Sequence, residues 1–281
     1  MINRTTMRVL KGDIYRGIVC RWFAWIATTI MIVGFCWIFY FQVNELSLIS
    51  NDNIKPTITD SLLFFFRGMK KYVPVSGAPF ELPIIWLIPN FVLGLIIAKY
   101  PTNDLHGYGK ILLIESGNRR CWITSKYLWV YVCVIIYYLI LYIVIILFSL
   151  LWGSFSLDIT TKIFSTVFDF YIIEQNTTLV IFSIVFLPLT TSLTLCSIQL
   201  LFEIIIGPVY SFLMTICLLI SSAYFFSPFL IGNYSMILRS NLVIESGINI
   251  YTSFICNIIL QIISLIGGIT YFNKKDILST R

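Results

Sequence analysis

The most regular feature of the sequence is a series of long apolar stretches separated by shorter polar segments. The stretches are 17 to 25 residues long, which is the length of a helix that crosses a bilayer. They cover Trp22–Val43, Leu82–Ala98, Tyr127–Leu151, Thr178–Phe202, Pro208–Leu230 and Ile250–Phe272. The pattern predicts an all-α membrane protein with six transmembrane helices, organised as a single membrane domain over residues 1–281.

Positive charge is distributed unequally between the two sides of these predicted helices. Thirteen of the 19 lysines and arginines fall on the side that includes both termini, and six fall on the other side. Because positively charged loops tend to stay in the cytoplasm, we expect both termini to be cytoplasmic. Only 11% of the residues are charged and 58% are hydrophobic, which excludes a soluble globular protein. The net charge of +6 is then a result of topology, and no nucleic-acid partner is expected.

Residues 1–21 precede the first predicted span and can form an amphipathic helix. Its apolar face consists of Met7, Leu10, Ile14 and Ile18, and its polar face of Thr5, Thr6, Gly12 and Asp13. Such a helix is expected to lie in the inner headgroup layer of the bilayer. An ordinary basic tail is the alternative.

The segment 99–126 is the largest predicted cytoplasmic connection. A helix is predicted to start at Thr102 or Asn103 and to end at Ser116–Asn118. One face of it carries Leu105, Tyr108, Leu112 and Glu115. A short amphipathic helix rarely keeps such a face exposed, so this face is a candidate docking surface.

Two predicted external loops contain apolar segments that are too short to span. Residues 227–249 are expected to form short re-entrant segments between the fifth and sixth spans, which is permitted where protein covers their backbone. Leu62–Phe66 is expected to be interfacial, because five apolar residues cannot cross the membrane.

The sequence lacks the residues of known hydrolytic sites. Its one histidine is His106, in the predicted cytoplasmic connection, and neither a Walker A motif nor HExxH nor GxSxG occurs. The predicted spans contain essentially no charged residues at their centres, which disfavours an ion-coupled transporter. We therefore expect no enzymatic activity and no cofactor in this chain; an intramembrane enzyme is the least favoured reading.

A polar stripe follows the sixth predicted span. Its residues are Ser253, Asn257, Gln261 and Ser264, which lie on one helical face. Amides are costly in hydrocarbon, so this face is expected to look towards protein. The stripe is either a helix-packing surface or part of a weakly polar translocation pathway.

The order of these parts resembles the permease subunits of type-2 ABC exporters. Gly109–Trp122, followed by Ser125 and Lys126, is similar to the coupling-helix region of that family, and Tyr271–Ile277 is similar to its basic carboxyl-terminal ending. The resemblance covers the whole chain in layout, with short motifs. In that family, small bacterial permeases of this length export antimicrobial peptides or confer immunity to them, extrude drugs, or move lipid-linked glycans. The Ile- and Asn-rich composition favours the bacteriocin- or lantibiotic-related subgroup, with the multidrug subgroup as the alternative.

The resemblance implies an exporter of an amphipathic peptide or drug in a bacterial plasma membrane. Two copies of a separate ABC ATPase would bind ATP and Mg, and the permease would pair with a second copy or a paralogue. Leu105, Tyr108, Leu112 and Glu115 would contact the ATPase. A non-transporting accessory or assembly protein is the alternative function.

Overall fold

The computed structural model describes residues 4–74, 80–116, 118–160, 163 and 177–275. These residues are mostly helical and contain no β-strand beyond one isolated bridge between Ser240 and Ile248. The α-helices are α1 (Arg4–Gly17), α2 (Trp22–Ser50), α3 (Ile58–Phe66), α4 (Ile84–Ile97), α5 (Tyr100–His106), α6 (Tyr108–Ser116), α7 (Arg119–Trp152), α8 (Thr177–Ile206), α9 (Pro208–Tyr224) and α10 (Ile250–Lys274). Short 3₁₀ turns cover Val19–Arg21, Ile231–Ser235 and Ile237–Arg239.

Five helical runs in the described part of the chain are long and apolar enough to cross a membrane. They include α2, α7, α8 and α10, and the run Ile84–His106 that combines α4 with α5. The chain is therefore built as a multi-pass membrane protein. The remaining predicted span, 208–230, coincides with α9, which ends at Tyr224 after 17 residues and is about 25 Å long.

Side-chain caps fix where several helices begin. The Asn118 side chain accepts a hydrogen bond from the Cys121 amide at the start of α7. Thr57 and Asp60 form a reciprocal capping box at the start of α3. Each cap satisfies an amide that the first helical turn leaves unpaired.

Both described ends of the chain lie at one end of the helix bundle, which we call the terminal end. Thr102 Oγ1 on α5 donates to Glu203 Oε1 on α8 at 2.8 Å. Arg119 donates to the Lys275 carbonyl at 2.8 Å, and Lys275 Nζ donates to the Ile204 carbonyl at 2.5 Å. These bonds join α5, α7, α8 and the end of α10, and α1 packs against α7 beside them.

The opposite end of the bundle, which we call the distal end, contains α3 and the two 3₁₀ turns of residues 231–239. All nine residues of α3 are buried, and α3 contacts α4, α7 and α8. The expectation that Leu62–Phe66 lies at the membrane interface is therefore wrong, because protein covers this helix on all sides. The 3₁₀ segments are also buried, and the Leu238 amide donates to the Arg67 carbonyl beside α3.

The predicted faces of α1 are only partly correct. Leu10, Ile14 and Ile18 of the apolar face pack in the core, but Met7 is 47% exposed, and Thr6 and Asp13 of the polar face are buried, at 4% and 0% exposed. The reason is that α1 packs on α7, where Asp13 finds ionic partners. Gly17 permits the close approach, since a Cβ there would lie 2.4 Å from Trp129 Nε1.

The predicted single helix between the second and third spans is two helices. It begins at Tyr100, earlier than predicted, and α5 ends at His106; α6 starts at Tyr108. Lys99, with φ of 70°, separates α4 from α5. Leu105 therefore lies on a different helix from Tyr108.

Candidate functional site

A buried ion cluster connects three helices at the terminal end. Lys126 of α7 places its Nζ 2.5 Å from Asp13 Oδ1 and 2.6 Å from Asp104 Oδ2. Asp13 belongs to α1 and Asp104 to α5. Lys126 and Asp13 are fully buried, and Asp104 is 8% exposed. One ammonium group thus holds the amino-terminal helix and the first helix of the connection against α7.

Neutral donors complete the hydrogen bonding of the two carboxylates. Tyr100 Oη donates to Asp13 Oδ1 at 2.9 Å, and Ser125 Oγ donates to Asp13 Oδ2 at 2.7 Å. Trp122 Nε1 donates to Asp104 Oδ2 at 3.1 Å. Hydrogen bonds of this kind are what allow charged groups to stay ionised away from water.

Arg16 supplies a second positive charge at the edge of the cluster. Its guanidinium lies 3.2 Å from Asp104 Oδ1 and 4.4 Å above the centre of the Tyr108 ring. Two carboxylates and two cations make the cluster electrically balanced. Tyr108 is 54% exposed, so this stack links the buried cluster to the surface of α6.

The cluster is suited to holding helices together. Its carboxylates are occupied by donors from neighbouring helices and are almost completely shielded from solvent. Removing one member of a buried ion pair costs about 3–5 kcal/mol, because the other member remains buried and unpaired. Among the described residues no group of three histidines, cysteines or acids could hold a metal ion.

Comparison with known proteins identifies a family without a defined function. Residues 67–278 match the family described as "Protein of unknown function (DUF2705)". The chain belongs to the DUF2705 family. No curated protein and no solved structure matches it. The DUF2705 match includes Asp104 and Lys126, whereas α1 with Asp13 precedes it.

Three of the four candidate ATPase-contacting residues of this DUF2705 protein have described side chains, and these three differ in exposure. Leu105 on α5 and Leu112 on α6 are partly buried and pack against the hydrophobic core. Tyr108 is exposed, and so is Ile111 on the same helix, at 54% each. The Glu115 side chain lies outside the described residues. Among the side chains of α6 that the structure describes, Tyr108 and Ile111 are therefore the large exposed ones.

Gly109 fits α6 closely against the ion cluster. A Cβ at this position would lie 2.3 Å from Asp104 Oδ2 and 2.8 Å from Trp122 Nε1. Asp104 Oδ2 and Trp122 Nε1 are hydrogen-bonded to each other, so neither can move without breaking that bond. The backbone of α6 is thus in direct packing contact with Asp104.

The polar stripe of α10 lies against a hydroxyl-rich face of α8. Asn257 Nδ2 donates to Thr191 Oγ1 at 3.1 Å, and Gln261 Nε2 donates to Thr194 Oγ1 at 3.1 Å. One turn further, Ser264 Oγ donates to the Ser197 carbonyl at 2.7 Å. Ser253 bonds within its own helix, to the Asn249 carbonyl. In this arrangement the stripe packs two helices together.

A second buried cation, Arg239, organises the distal end. Its Nε donates to the Met69 carbonyl at 3.1 Å, and its terminal nitrogens donate to the main-chain oxygens of Lys70, Ser222, Ala223 and Phe225 and to Asn233 Oδ1. Ser222, Ala223 and Phe225 surround the carboxyl-terminal end of α9, where carbonyls lack helical partners and favour a cation. Burial lowers the pKa of Arg239 to about 10, so the side chain stays charged at neutral pH.

Sequence reasoning did not identify these buried charges as sites. The sequence pattern places Asp13 on the polar face of the amino-terminal helix and Lys126 in the stretch that resembles a coupling region, and it singles out neither Asp104 nor Arg239. One signal for Asp13 was available. Thr6, Val9 and Asp13 share one face of a helix, and an apolar residue on that face indicates that the acid next to it can also be buried.

Proposed function

We propose that this protein is the membrane-spanning subunit of an ABC exporter, in which α6 contacts a separate ATPase and α5–α6 transmit its movement to the bundle. The observation that supports the proposal most strongly is the junction around Lys126. A docking helix can transmit force only if it is rigidly attached, and Asp104, Arg16 and Gly109 attach α5 and α6 to α1 and α7.

The proposal includes six spans, with α9 as the fifth, and cytoplasmic termini in a bacterial plasma membrane. The terminal end is then the ATPase side, in line with its excess of lysine and arginine. Cysteine introduced at Arg120 or Glu245, both exposed, in a cysteine-free variant tests this sidedness. An impermeant thiol reagent added outside should label position 245 and not position 120.

The proposed substrate is an amphipathic peptide or drug, and the pathway is formed between this chain and a second copy or a paralogue. Within one chain, the amides of Asn257 and Gln261 are already bonded to α8, which favours packing for that stripe. The substrate must bind the two states of the pathway with different affinity, since otherwise ATP hydrolysis could not be coupled to its movement.

The experiment is purification of the tagged protein from membranes of its native host. Wild type should carry an ATPase with a Walker A motif, identified by mass spectrometry, and the complex should hydrolyse ATP. Tyr108→Ala combined with Ile111→Ala should remove the ATPase without loss of the folded subunit, because both side chains are exposed. Leu112 is avoided because it packs against the core.

Phe229→Ala is the matched control, since Phe229 is 91% exposed at the distal end and should leave the ATPase bound. Equal ATPase recovery from wild type and the double variant would contradict the assignment of α6. Absence of an ATPase from the wild-type preparation would contradict the exporter proposal and favour an accessory or assembly protein.

A further inference from the structure

A small pocket opens at the terminal end next to the ion cluster. It has a volume of about 170 Å³, and its walls come from α5, the start of α7 and the end of α8. Pro101, Leu105, Trp122 and Ile204 provide apolar surface. Glu203, which also lines the pocket, is 2% exposed. The pocket thus combines an apolar wall with one buried carboxylate, and Thr102, His106, Gly207 and Lys275 complete its lining.

The two oxygens of the Glu203 carboxylate differ in their bonding. Oε1 accepts hydrogen bonds from the Thr102 amide at 3.2 Å and from Thr102 Oγ1 at 2.8 Å. The Lys99 amide lies near the same carboxylate, yet the buried Oε2 has no hydrogen-bond partner of normal length and angle. A buried acceptor left in this condition carries a cost, which a suitable donor would remove.

Two cations in this region already donate to main-chain carbonyls. Lys275 Nζ, at the pocket wall, donates to the Ile204 carbonyl, and Arg21 donates to the Ile96 carbonyl at 3.1 Å. No ion pair joins either of them to Glu203 within the described residues. The donor that Oε2 lacks is therefore not supplied by these two side chains.

The size and lining of the pocket restrict what can enter. A volume of about 170 Å³ is below the range of sites for drug-sized molecules, but it accommodates one long side chain. An apolar wall with a carboxylate fits a side chain that has an apolar stem and a cationic head. Arginine matches best, because its guanidinium is planar, weakly hydrated and rich in donors.

We propose that this pocket receives an arginine side chain from the partner ATPase, which donates to Glu203 Oε2. This proposal rests on the proposed function. It adds a contact in the pocket to the contact that is proposed for α6. A partner arginine bound there would contact α5 and α8 together, so movement of the ATPase would reach two helices of the bundle.

Glu203→Gln separates this role from a purely structural one. The glutamine amide oxygen can still accept from Thr102, which preserves the contact between α8 and α5. The atom that replaces Oε2 becomes an NH₂ donor, which cannot pair with a guanidinium. Glu245→Gln is the matched control, because it removes the same charge from an exposed position at the distal end.

The measurement is the affinity of the purified subunit in nanodiscs for its ATPase, together with the thermal stability of the subunit alone. Glu203→Gln should weaken binding by about tenfold or more, as expected for a hydrogen bond to a charged group. Its melting temperature should stay close to that of wild type, and Glu245→Gln should match wild type in both respects.

Binding of the Glu203→Gln variant within about twofold of wild type would overturn the arginine proposal and leave the exporter proposal intact. A melting temperature that falls in parallel with affinity would also overturn it, by showing that Glu203 only holds α5. If wild type binds no ATPase, both proposals fail. Charge reversal of the arginine located by cross-linking should weaken wild type and spare Glu203→Gln; equal weakening of both would contradict the pairing.

Discussion

Lys126 and Arg239 are both fully buried cations at opposite ends of the helix bundle, and the protein neutralises them by different means. Lys126 lies between two carboxylates, Asp13 and Asp104, that come from two other helices. The hydrogen bonds of Arg239 all go to neutral oxygens: five main-chain carbonyls, three of which lie around the end of α9, and Asn233 Oδ1. One site is a balance of formal charges, and the other is a cation held by backbone dipoles.

The difference has a mechanical meaning. Carbonyls at a helix end are fixed by the helix itself, so Arg239 is bonded to acceptors whose positions are set by α9. The partners of Lys126 are side chains on separate helices, which can in principle move relative to α7. A junction of this type is stable in one geometry and sensitive to any change in charge, which suits the end that we propose contacts an ATPase.

The largest effect is expected from Lys126→Met. The variant leaves two buried carboxylates without their shared cation and should lower the free energy of unfolding by about 3–5 kcal/mol. Adding Asp13→Asn should recover a substantial part of this loss, because Arg16 can still balance Asp104. The measurement is a double-mutant cycle by denaturant titration in mixed micelles.

The same cycle at the distal end should behave differently. Arg239→Met should also destabilise the protein, but adding Asp60→Asn should bring no recovery, since Asp60 is a buried acid that bonds to Thr57 and Thr160 instead. Recovery in the distal cycle, or additivity in the Lys126 cycle, would show that the two cations are not held in the different ways described.

An intermediate effect is expected from Gly109→Ala. The added Cβ must displace Asp104 or Trp122, and overpacking of this kind costs about 1–3 kcal/mol. We expect the variant to melt at a lower temperature and to expose α5–α6 to limited proteolysis. Gly34→Ala is the control, because a Cβ at Gly34 in α2 meets nothing within 4 Å; a similar loss there would contradict the packing argument.

The smallest effect is expected from Asn257→Leu combined with Gln261→Leu. Hydrogen bonds between membrane helices contribute about 0.6 kcal/mol each, so the double variant should lose about 1 kcal/mol or slightly more. Ile259→Leu on the exposed face of α10 should lose less. If transport by the double variant collapses while stability falls only by this amount, the stripe has a role in the pathway as well as in packing.

The sequence alone predicts the long helices, but it does not predict the ion pairs that join them. Apolar runs of more than 20 residues predicted α2, α7, α8 and α10, because the membrane imposes a length on any spanning helix. Asp13 and Lys126 are 113 residues apart, and no local pattern specifies their pairing. The third apolar stretch begins at Tyr127, whereas α7 begins at Arg119, so Lys126 lies inside the helix.

Apolar composition also failed to locate α3. Leu62–Phe66 is equally suited to a membrane interface and to a protein core, since both are poor in water. Only the tertiary structure distinguishes them, through the bond from the Ile58 amide to the Ser156 carbonyl and through contacts with α7 and α8. The function remains a prediction for a related reason, because the DUF2705 family brings no assigned activity with it.

The buried position of α3 constrains how the protein is made. Residues 58–66 are synthesised about 90 residues before the Ser156–Asp158 segment that they bond to, and before α8, which covers them. Before α8 is made, α3 can contact only α2, α4 and α7, and the side of it that α8 covers has no protein partner. The burial of α3 is therefore completed only after α8 has been added, and a chain interrupted before residue 177 should leave that side of α3 exposed.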